Sequence, residues 1–216
     1  MKKLNKILCA VRKFVSKDYT YRFLNGIKFD LNRQTIEATD GHAAVIIKGS
    51  RGFVAGMANG YAEYLGLPPV GGDFTEIRIA TKNGKKYPVP ELITGEEARQ
   101  GNLWKCLKFG EHDPEMCNSA LVHDDQFPRL NQMCRALGTK LHLIPGTSRT
   151  NALMQYGTST YNGDELVFCI AQMPSLGQAY DDNGNPLRTA ISYKSLGELD
   201  RDAMKQFIPM TQYMRL

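Results

Sequence analysis

The pattern of apolar and polar residues begins with a helix. Residues 3–17 carry large apolar side chains at spacings of three and four, which place them on one helical face: Leu4, Ile7, Leu8, Val11, Phe14 and Val15. Lysines and Arg12 occupy much of the opposite face. The pattern therefore predicts an amphipathic helix over residues 3–17 with a basic outer side.

The residues that follow alternate apolar and polar side chains with the two-residue period of β-strands. This alternation predicts strands over residues 21–31, interrupted by Gly26, and 36–39, and the apolar run at 43–47 predicts a third strand, with Asp40 and Gly41 in the turn between the last two. A helix followed directly by a meander of strands makes one compact supersecondary unit.

The second half of the chain shows the same order of elements. Residues 127–137 have a helical apolar stripe that ends at Gly138, a residue suited to helix C-termini. Strands are predicted at 140–144, 152–156 and 166–171, and Asn162-Gly163 predicts a hairpin turn between the last two. We therefore expect an α+β fold of two helix-plus-antiparallel-meander units, with helices 3–17 and 127–137 side by side on one face of a curved sheet.

Residues 49–117 separate the two units and differ from both. The segment begins with closely spaced glycines and contains a predicted hairpin turn at Asn83-Gly84. We expect it to be an insertion that packs by itself and projects from a domain formed by residues 1–48 and 118–175. Residues 176–216 are then a C-terminal extension.

Charge is distributed unevenly along the 216 residues, whose formal net charge is +5. Residues 1–17 and 126–149 contain lysine and arginine but no aspartate or glutamate. Two separate basic segments favour a polyanion as partner, and the alternative is an ordinary solvated surface.

Motifs for catalysis, metal binding and membrane insertion are missing from the sequence. We find no Walker A loop, no nucleophile elbow and no His-Glu-x-x-His, so we expect no enzyme activity. Cys106, His112, Cys117 and His123 lack the close ligand pair that zinc sites usually contain, so we expect no metal or other cofactor. No apolar run is long enough to cross a membrane, and the N-terminus lacks the continuous apolar stretch of a signal peptide, so we expect a cytoplasmic protein.

Two linked motifs carry a resemblance to a known family. The segment YRFLNGIKF at 21–29 is followed by EATDGHAAV at 37–45. Together they resemble the bacterial DNA polymerase III beta subunit, the sliding clamp, whose middle domain has a YLNG strand and then an ATDGHRLA strand behind a basic amphipathic helix. The resemblance covers residues 3–48 and extends more loosely to 120–174, where LVFCIAQMP resembles the closing strand of the family. Residues 49–117 and 175–216 have no counterpart in it.

The resemblance implies a DNA-clamp-like domain. In the family, two helix-and-meander units are related by a pseudo-twofold axis, helices line a central channel and sheets form the outside. Such a surface binds double-stranded DNA non-specifically through its phosphates. The candidate DNA-binding residues are Lys3, Lys6, Arg12, Lys13, Lys17, Arg129 and Arg135. A ring of six domains requires six copies of a one-domain chain, so a homo-oligomer is one expectation.

The motif TDGH marks a second candidate site. Its family counterparts help to line the pocket that receives short peptides of client proteins, which makes Thr39, Gly41 and His42 candidates, with Met173 and Pro174 from the closing strand. Ala43 and Ala44 stand where the family usually has arginine and leucine, so a charged wall and an apolar wall are missing. The favoured alternative is a structural turn, because turn chemistry alone accounts for Asp-Gly.

Three functions remain open at this point. The first is a clamp-like, DNA-associated factor, such as a replication processivity protein of a phage or mobile element, working with replication proteins or other clients. The second is a clamp-fold protein-binding factor without a ring, such as an inhibitor or decoy directed against a defence system. The third is a nucleic-acid enzyme that uses residues 49–117 and requires a metal.

Overall fold

The computed structural model describes residues 3–18, 23–82, 88–99, 119–122, 126–138, 142–144, 153–172 and 189–192. Their helices are α1 (Lys6–Val11), α2 (Arg51–Tyr64), α3 (Gly95–Arg99) and α4 (Gln126–Leu137), and a 3-10 turn at Arg12–Phe14 continues α1. Their strands are β1 (Gly26–Asp30), β2 (Thr35–Thr39), β3 (Ala43–Lys48), β4 (Glu76–Lys82), β5 (Val89–Thr94), β6 (Ser119–Val122), β7 (His142–Ile144), β8 (Leu153–Tyr161), β9 (Asp164–Gln172) and β10 (Thr189–Ser192).

Eight of these strands form one antiparallel sheet in the order β5-β4-β1-β2-β3-β9-β8-β7. The predicted α+β class is therefore confirmed. A helix precedes a three-stranded meander twice, as α1 before β1-β2-β3 and as α4 before β7-β8-β9. The two meanders join where β3 pairs with β9, with Val45 opposite Ile170. The order of these six strands is consequently symmetric about the β3–β9 pair.

The two helices of these units lie side by side, as predicted. Helix α1 contacts α4, and both bury their apolar stripes in one core with the same sheet face. Ile7, Leu8 and Val11 of α1 are almost completely buried in this core. The helical part is shorter than the predicted 3–17, because α1 begins after Asn5, whose side chain accepts a hydrogen bond from the backbone N–H of Ile7 at 2.8 Å.

The expectation that residues 49–117 pack by themselves is wrong for their described part, 49–82 and 88–99. Helix α2 buries Val54, Ala58 and Ala62 in the common core. Strand β4 pairs with β1 and β5 pairs with β4, so both extend the main sheet at its β1 edge. The physical reason is that β1 would otherwise present unpaired backbone groups at a sheet edge, and the apolar face of α2 needs a surface to cover.

The bounds of the clamp-like domain at 1–48 and 118–175 stay a prediction, as does the assignment of 49–117 as an insertion into it. The turn predicted at Asn83-Gly84 lies outside the described residues, while β4 and β5 on either side of it are antiparallel. Of residues 176–216, the structure describes β10, which pairs with β6 in a separate two-stranded sheet.

Strand alternation gives the main sheet a second face that differs from the core face. Ile27, Phe29 and Ile36 point to the helices, whereas Lys28 and Glu37 lie opposite each other on the second face. Both charged side chains are nevertheless buried. At β1 and β2 the second face is therefore covered, which differs from the exposed sheet that the family resemblance implies.

The approach of β4 to β1 is close on this second face. Gly26 pairs with Ala80, and a Cβ atom on Gly26 would lie 2.8 Å from the Cβ of Ala80 and 2.9 Å from its Cα. Glycine at this position thus allows two strand backbones to pack without an intervening side chain.

Every described helix is too short or too polar to span a membrane.

Candidate nucleic-acid interface

The outer side of helices α1 and α4 is basic. Lys3, Lys6, Lys13 and Lys17 are exposed around α1, and Arg135 is exposed on α4. Neither helix contains an acidic residue, and within the described ranges none of these five cations forms an ion pair. We call these five residues the basic helix surface. Their charges are available to a polyanion.

A groove between α1 and α4 brings three of these cations together. It has a volume of about 650 Å³, and Lys3, Lys6 and Arg135 are among the residues that line it. The helix stripes explain this arrangement, because burial of Ile7, Leu8, Leu130 and Met133 in the core turns the polar sides of both helices outward. The sequence predicts the two basic helices, and the contact between them creates the groove.

Arg12 has a more specific position than the lysines around it. Its guanidinium carbon lies 5.6 Å from the ring centroid of Tyr64 at the end of α2, at the distance of a cation–π contact. The contact fixes the guanidinium beside the basic helix surface while the side chain stays exposed. The charge of Arg12 can therefore add to that of the basic helix surface, and its packing on Tyr64 holds the side chain against α2.

Arg129 differs from the other predicted DNA-binding residues, because its guanidinium forms an ion pair with the carboxylate of Asp40. Asp40 lies in the turn between β2 and β3, so the pair joins α4 to the first meander. The side chain of Arg129 is 23% exposed. Since a carboxylate already neutralises this cation, we do not count Arg129 among the freely available charges.

The predicted peptide-pocket residues form a hydrogen-bonded turn. Thr39 Oγ1 donates to the Ala43 carbonyl at 2.8 Å and accepts from the Gly41 N–H at 3.0 Å. Asp40 Oδ1 accepts from the N–H groups of His42 at 2.9 Å and Ala43 at 2.8 Å. Gly41 has a φ of 90°, which favours glycine. The described contacts thus account for Thr39, Asp40 and Gly41 by the structure of the turn.

The two remaining pocket candidates, Met173 and Pro174, lie outside the described residues. Strand β9 ends at Gln172, whose Cα partner in β3 is Ala43. Gly41 and His42 are exposed, and neither lines the groove between α1 and α4. The turn and the groove are therefore separate features, and a role of the turn in peptide binding stays a prediction.

A cluster of charged residues is buried on the second face of the sheet, and the sequence pattern did not predict it. Lys28 Nζ lies 3.1 Å from Glu76 Oε2 and 3.6 Å from Asp30 Oδ2. In β2, Thr35 Oγ1 donates to Glu37 Oε1 at 2.8 Å. The ion pairs of Lys28 join β1 to β4 and compensate its buried charge, whereas Thr35 and Glu37 interact within β2. Their alternation with apolar residues was the available signal, but the same pattern is typical of a solvent-facing strand side.

Arg78 is the most constrained member of this cluster. Its Nη1 donates to the Phe23 carbonyl at 2.6 Å and its Nη2 to the Ala98 carbonyl at 3.4 Å. Burial lowers the pKa of the guanidinium to about 10, and the carboxylates of Glu37 and Glu76 oppose this shift. Arg78 therefore remains a cation at neutral pH and serves to join β4 to the chain before β1 and to α3.

No set of three or more His, Cys, Asp and Glu side chains in the described part of the chain is placed to hold a metal ion. Cys106, His112, Cys117 and His123, which the sequence analysis considered as zinc ligands, lie outside the described residues.

Comparison of the chain with protein-family models and with curated proteins found no match.

Proposed function

We propose that the chain is a sliding-clamp-like, DNA-associated, non-enzymatic protein that holds double-stranded DNA on its basic helix surface. The observation that supports this most directly is that two helices lie together on one sheet face, contain no acidic residue, and carry on their outer sides five cations that form no ion pair within the described ranges. The symmetric strand order about β3 and β9 supports a clamp-like arrangement of the two units. We further propose that the chain is a cytoplasmic replication processivity factor, or a clamp-related factor, of a phage or mobile element.

The physical basis is the neutralisation of phosphates. Each Lys or Arg that contacts a phosphate releases a condensed counterion, which favours binding regardless of base sequence. Flexible lysines on a helix surface provide no fixed pattern of donors for base edges, so binding of this kind permits movement along the duplex. The residues proposed to contact DNA are Lys3, Lys6, Arg12, Lys13, Lys17 and Arg135. Arg129 is proposed to hold α4 against the first meander through its ion pair with Asp40.

The test is a titration of duplex DNA at several salt concentrations. We compare the protein with the Lys6→Glu, Lys13→Glu, Lys17→Glu variant, whose changed residues are all exposed. The slope of log affinity against log salt should become shallower by about 0.9 for each phosphate that the variant no longer neutralises. Circular dichroism checks that the variant is folded.

A matched pair of single substitutions controls for net charge. Lys6→Ala removes a cation from the basic helix surface, whereas Lys82→Ala removes an exposed cation from β4, where it pairs with Glu91. Only Lys6→Ala should weaken DNA binding. Equal affinities of the triple variant and the original protein would place DNA elsewhere on the molecule. If the protein does not bind DNA even at low salt, the DNA proposal is wrong and the protein-binding alternative is favoured.

Oligomeric mass separates a ring from a single binding unit. A chain that holds one clamp-like domain needs six copies to form a ring of six domains. Light scattering with and without duplex DNA should therefore give a hexamer if the ring proposal is right. A monomer or dimer under both conditions would favour a clamp-fold factor that binds another protein, such as an inhibitor or decoy.

A further inference from the structure

The groove between α1 and α4 has an apolar lining that phosphate binding does not require. Leu4, Cys9, Tyr64 and Ala136 line it together with Gln132, and Lys3, Lys6 and Arg135 supply charge around them. No carboxylate belongs to the described lining. A lining that combines apolar residues with cations matches a ligand that carries both an apolar group and negative charge.

We propose that this groove binds an acidic peptide segment of a partner protein, with one large apolar side chain of that segment as its anchor. The apolar residues of the lining receive the anchor, and the three cations meet carboxylates on either side of it. The volume of about 650 Å³ accommodates a large side chain and its neighbours. This inference goes beyond the proposed DNA binding, because it concerns a different class of ligand.

Charge and apolar contact contribute differently to such a complex. Cations around the groove accelerate encounter with an acidic segment, an effect that salt weakens. Removal of the anchor side chain from water supplies affinity that salt does not screen in this way. Duplex DNA offers phosphates to Lys3, Lys6 and Arg135 but no aliphatic or aromatic side chain for the lining. A peptide with an anchor should therefore use the groove more completely than DNA does.

The two ligands should exclude each other. Lys3, Lys6 and Arg135 are part of the basic helix surface and also lie around the groove. A cation that is paired with a peptide carboxylate is not available to a phosphate. Saturation with an acidic partner would thus release DNA, which would give this surface a means of regulation.

The direct experiment measures fluorescence anisotropy of two short synthetic peptides without DNA. The first has a single phenylalanine between aspartate and glutamate residues, and the second has alanine in place of the phenylalanine at the same net charge. Burial of a phenylalanine side chain corresponds to roughly tenfold or more in affinity. We expect the first peptide to bind at least about tenfold more tightly. Equal affinity of the two peptides, or no binding of either, overturns the proposal.

A matched pair of tryptophan substitutions on α4 locates the binding site. Gln132 lines the groove and is half-buried, so Gln132→Trp should fill part of it without changing charge. Its neighbour Asn131 is exposed and is not part of the lining. Asn131→Trp should keep the preference for phenylalanine, whereas Gln132→Trp should abolish it. Loss of the preference in both variants, or in neither, overturns the location.

Cys9 provides a readout in the unchanged protein. Its thiol lies in the groove lining, whereas Cys134 does not. The phenylalanine peptide should slow alkylation of Cys9 by iodoacetamide and leave that of Cys134 unchanged, as followed by mass spectrometry of the cysteine-containing fragments. Unaltered alkylation of Cys9 at saturating peptide overturns the proposal. Failure of DNA binding alone leaves these peptide results intact, so the two proposals fail separately.

Discussion

The two faces of the main sheet use the same charged residue types in opposite ways. On the helix side, apolar residues cover the sheet, and the cations of the basic helix surface beyond them are exposed. On the second face, Lys28 and Arg78 are buried directly on the strands and have carboxylate or carbonyl partners. The described helices α1 and α4 contain no acidic residue, whereas Asp30, Glu37 and Glu76 lie on or beside the second face.

This difference shows that the number of charges says little about their function. A buried cation with fixed partners stabilises one arrangement of strands, and its removal leaves carboxylates without compensation in a region of low dielectric. An exposed cation without a partner contributes little to stability but attracts polyanions. The predictions below test this contrast with pairs of substitutions, beginning with the largest expected effect.

Arg78→Met should cause the largest loss of stability. It removes a buried cation that interacts electrostatically with Glu37 and Glu76, and it leaves the Phe23 and Ala98 carbonyls without their donor. Leaving buried acceptors without their donor costs about 1–3 kcal/mol for each. Urea unfolding monitored by circular dichroism measures the change.

Lys82→Met on the same strand is the control for Arg78→Met. The Lys82 side chain is 51% exposed and pairs with Glu91 at 3.2 Å. Exposed pairs of this kind contribute about 0–1 kcal/mol. Similar losses in the two variants would contradict the contrast between buried and exposed cations on β4.

Gly26→Ala and Gly56→Ala should change stability in opposite directions. A Cβ on Gly26 would lie 2.9 Å from the Cα of Ala80, so the two strands must separate, at a cost of about 1–3 kcal/mol. A Cβ on Gly56, which is exposed on α2, would meet no atom within 4 Å. Alanine there should stabilise the helix by about 0.5–1 kcal/mol. Thermal unfolding compares the two, and equal shifts of Tm would show that the second face is not closely packed.

Arg129→Ala and Arg135→Ala should separate a structural arginine from a DNA-binding one on the same helix. Arg129 pairs with Asp40, so its loss should lower the free energy of unfolding by about 1 kcal/mol and leave the salt dependence of DNA binding nearly unchanged. Arg135 is exposed, so its loss should make the salt slope shallower by about 0.9 without an effect on stability. The same slope change in both variants would show that the Asp40 pair opens when DNA binds.

The smallest expected effect concerns Cys134 on α4. Burial raises the pKa of its thiol, so the pH at which alkylation is half-maximal should be higher in the folded protein than in urea. In the unfolded chain it should lie near the value of a free thiol, about 8.5. Mass spectrometry after iodoacetamide treatment across pH gives both profiles. Superimposable profiles would contradict the partial burial of this side chain on α4.

Local periodicity determined the elements that the sequence could predict. The stripes at 3–17 and 127–137, the apolar run at 43–47 and the Asn162-Gly163 turn each depend on residues close together in the chain. The structure has helices at Lys6–Val11 and Gln126–Leu137, and a turn with positive φ at Asn162 and Gly163. These predictions succeeded because helix and hairpin geometry set spacings of two to four residues.

The tertiary structure decided the partners of these elements. Pairing of β3 with β9, attachment of β4 to the free edge of β1 and the ion pair of Arg129 with Asp40 all join residues far apart in the chain. On the second face, Lys28 and Glu37 alternate with the apolar residues of β1 and β2, so strand geometry places them on one side of the sheet. Their burial follows from the elements that pack around them, and a two-residue period carries no information about that cover.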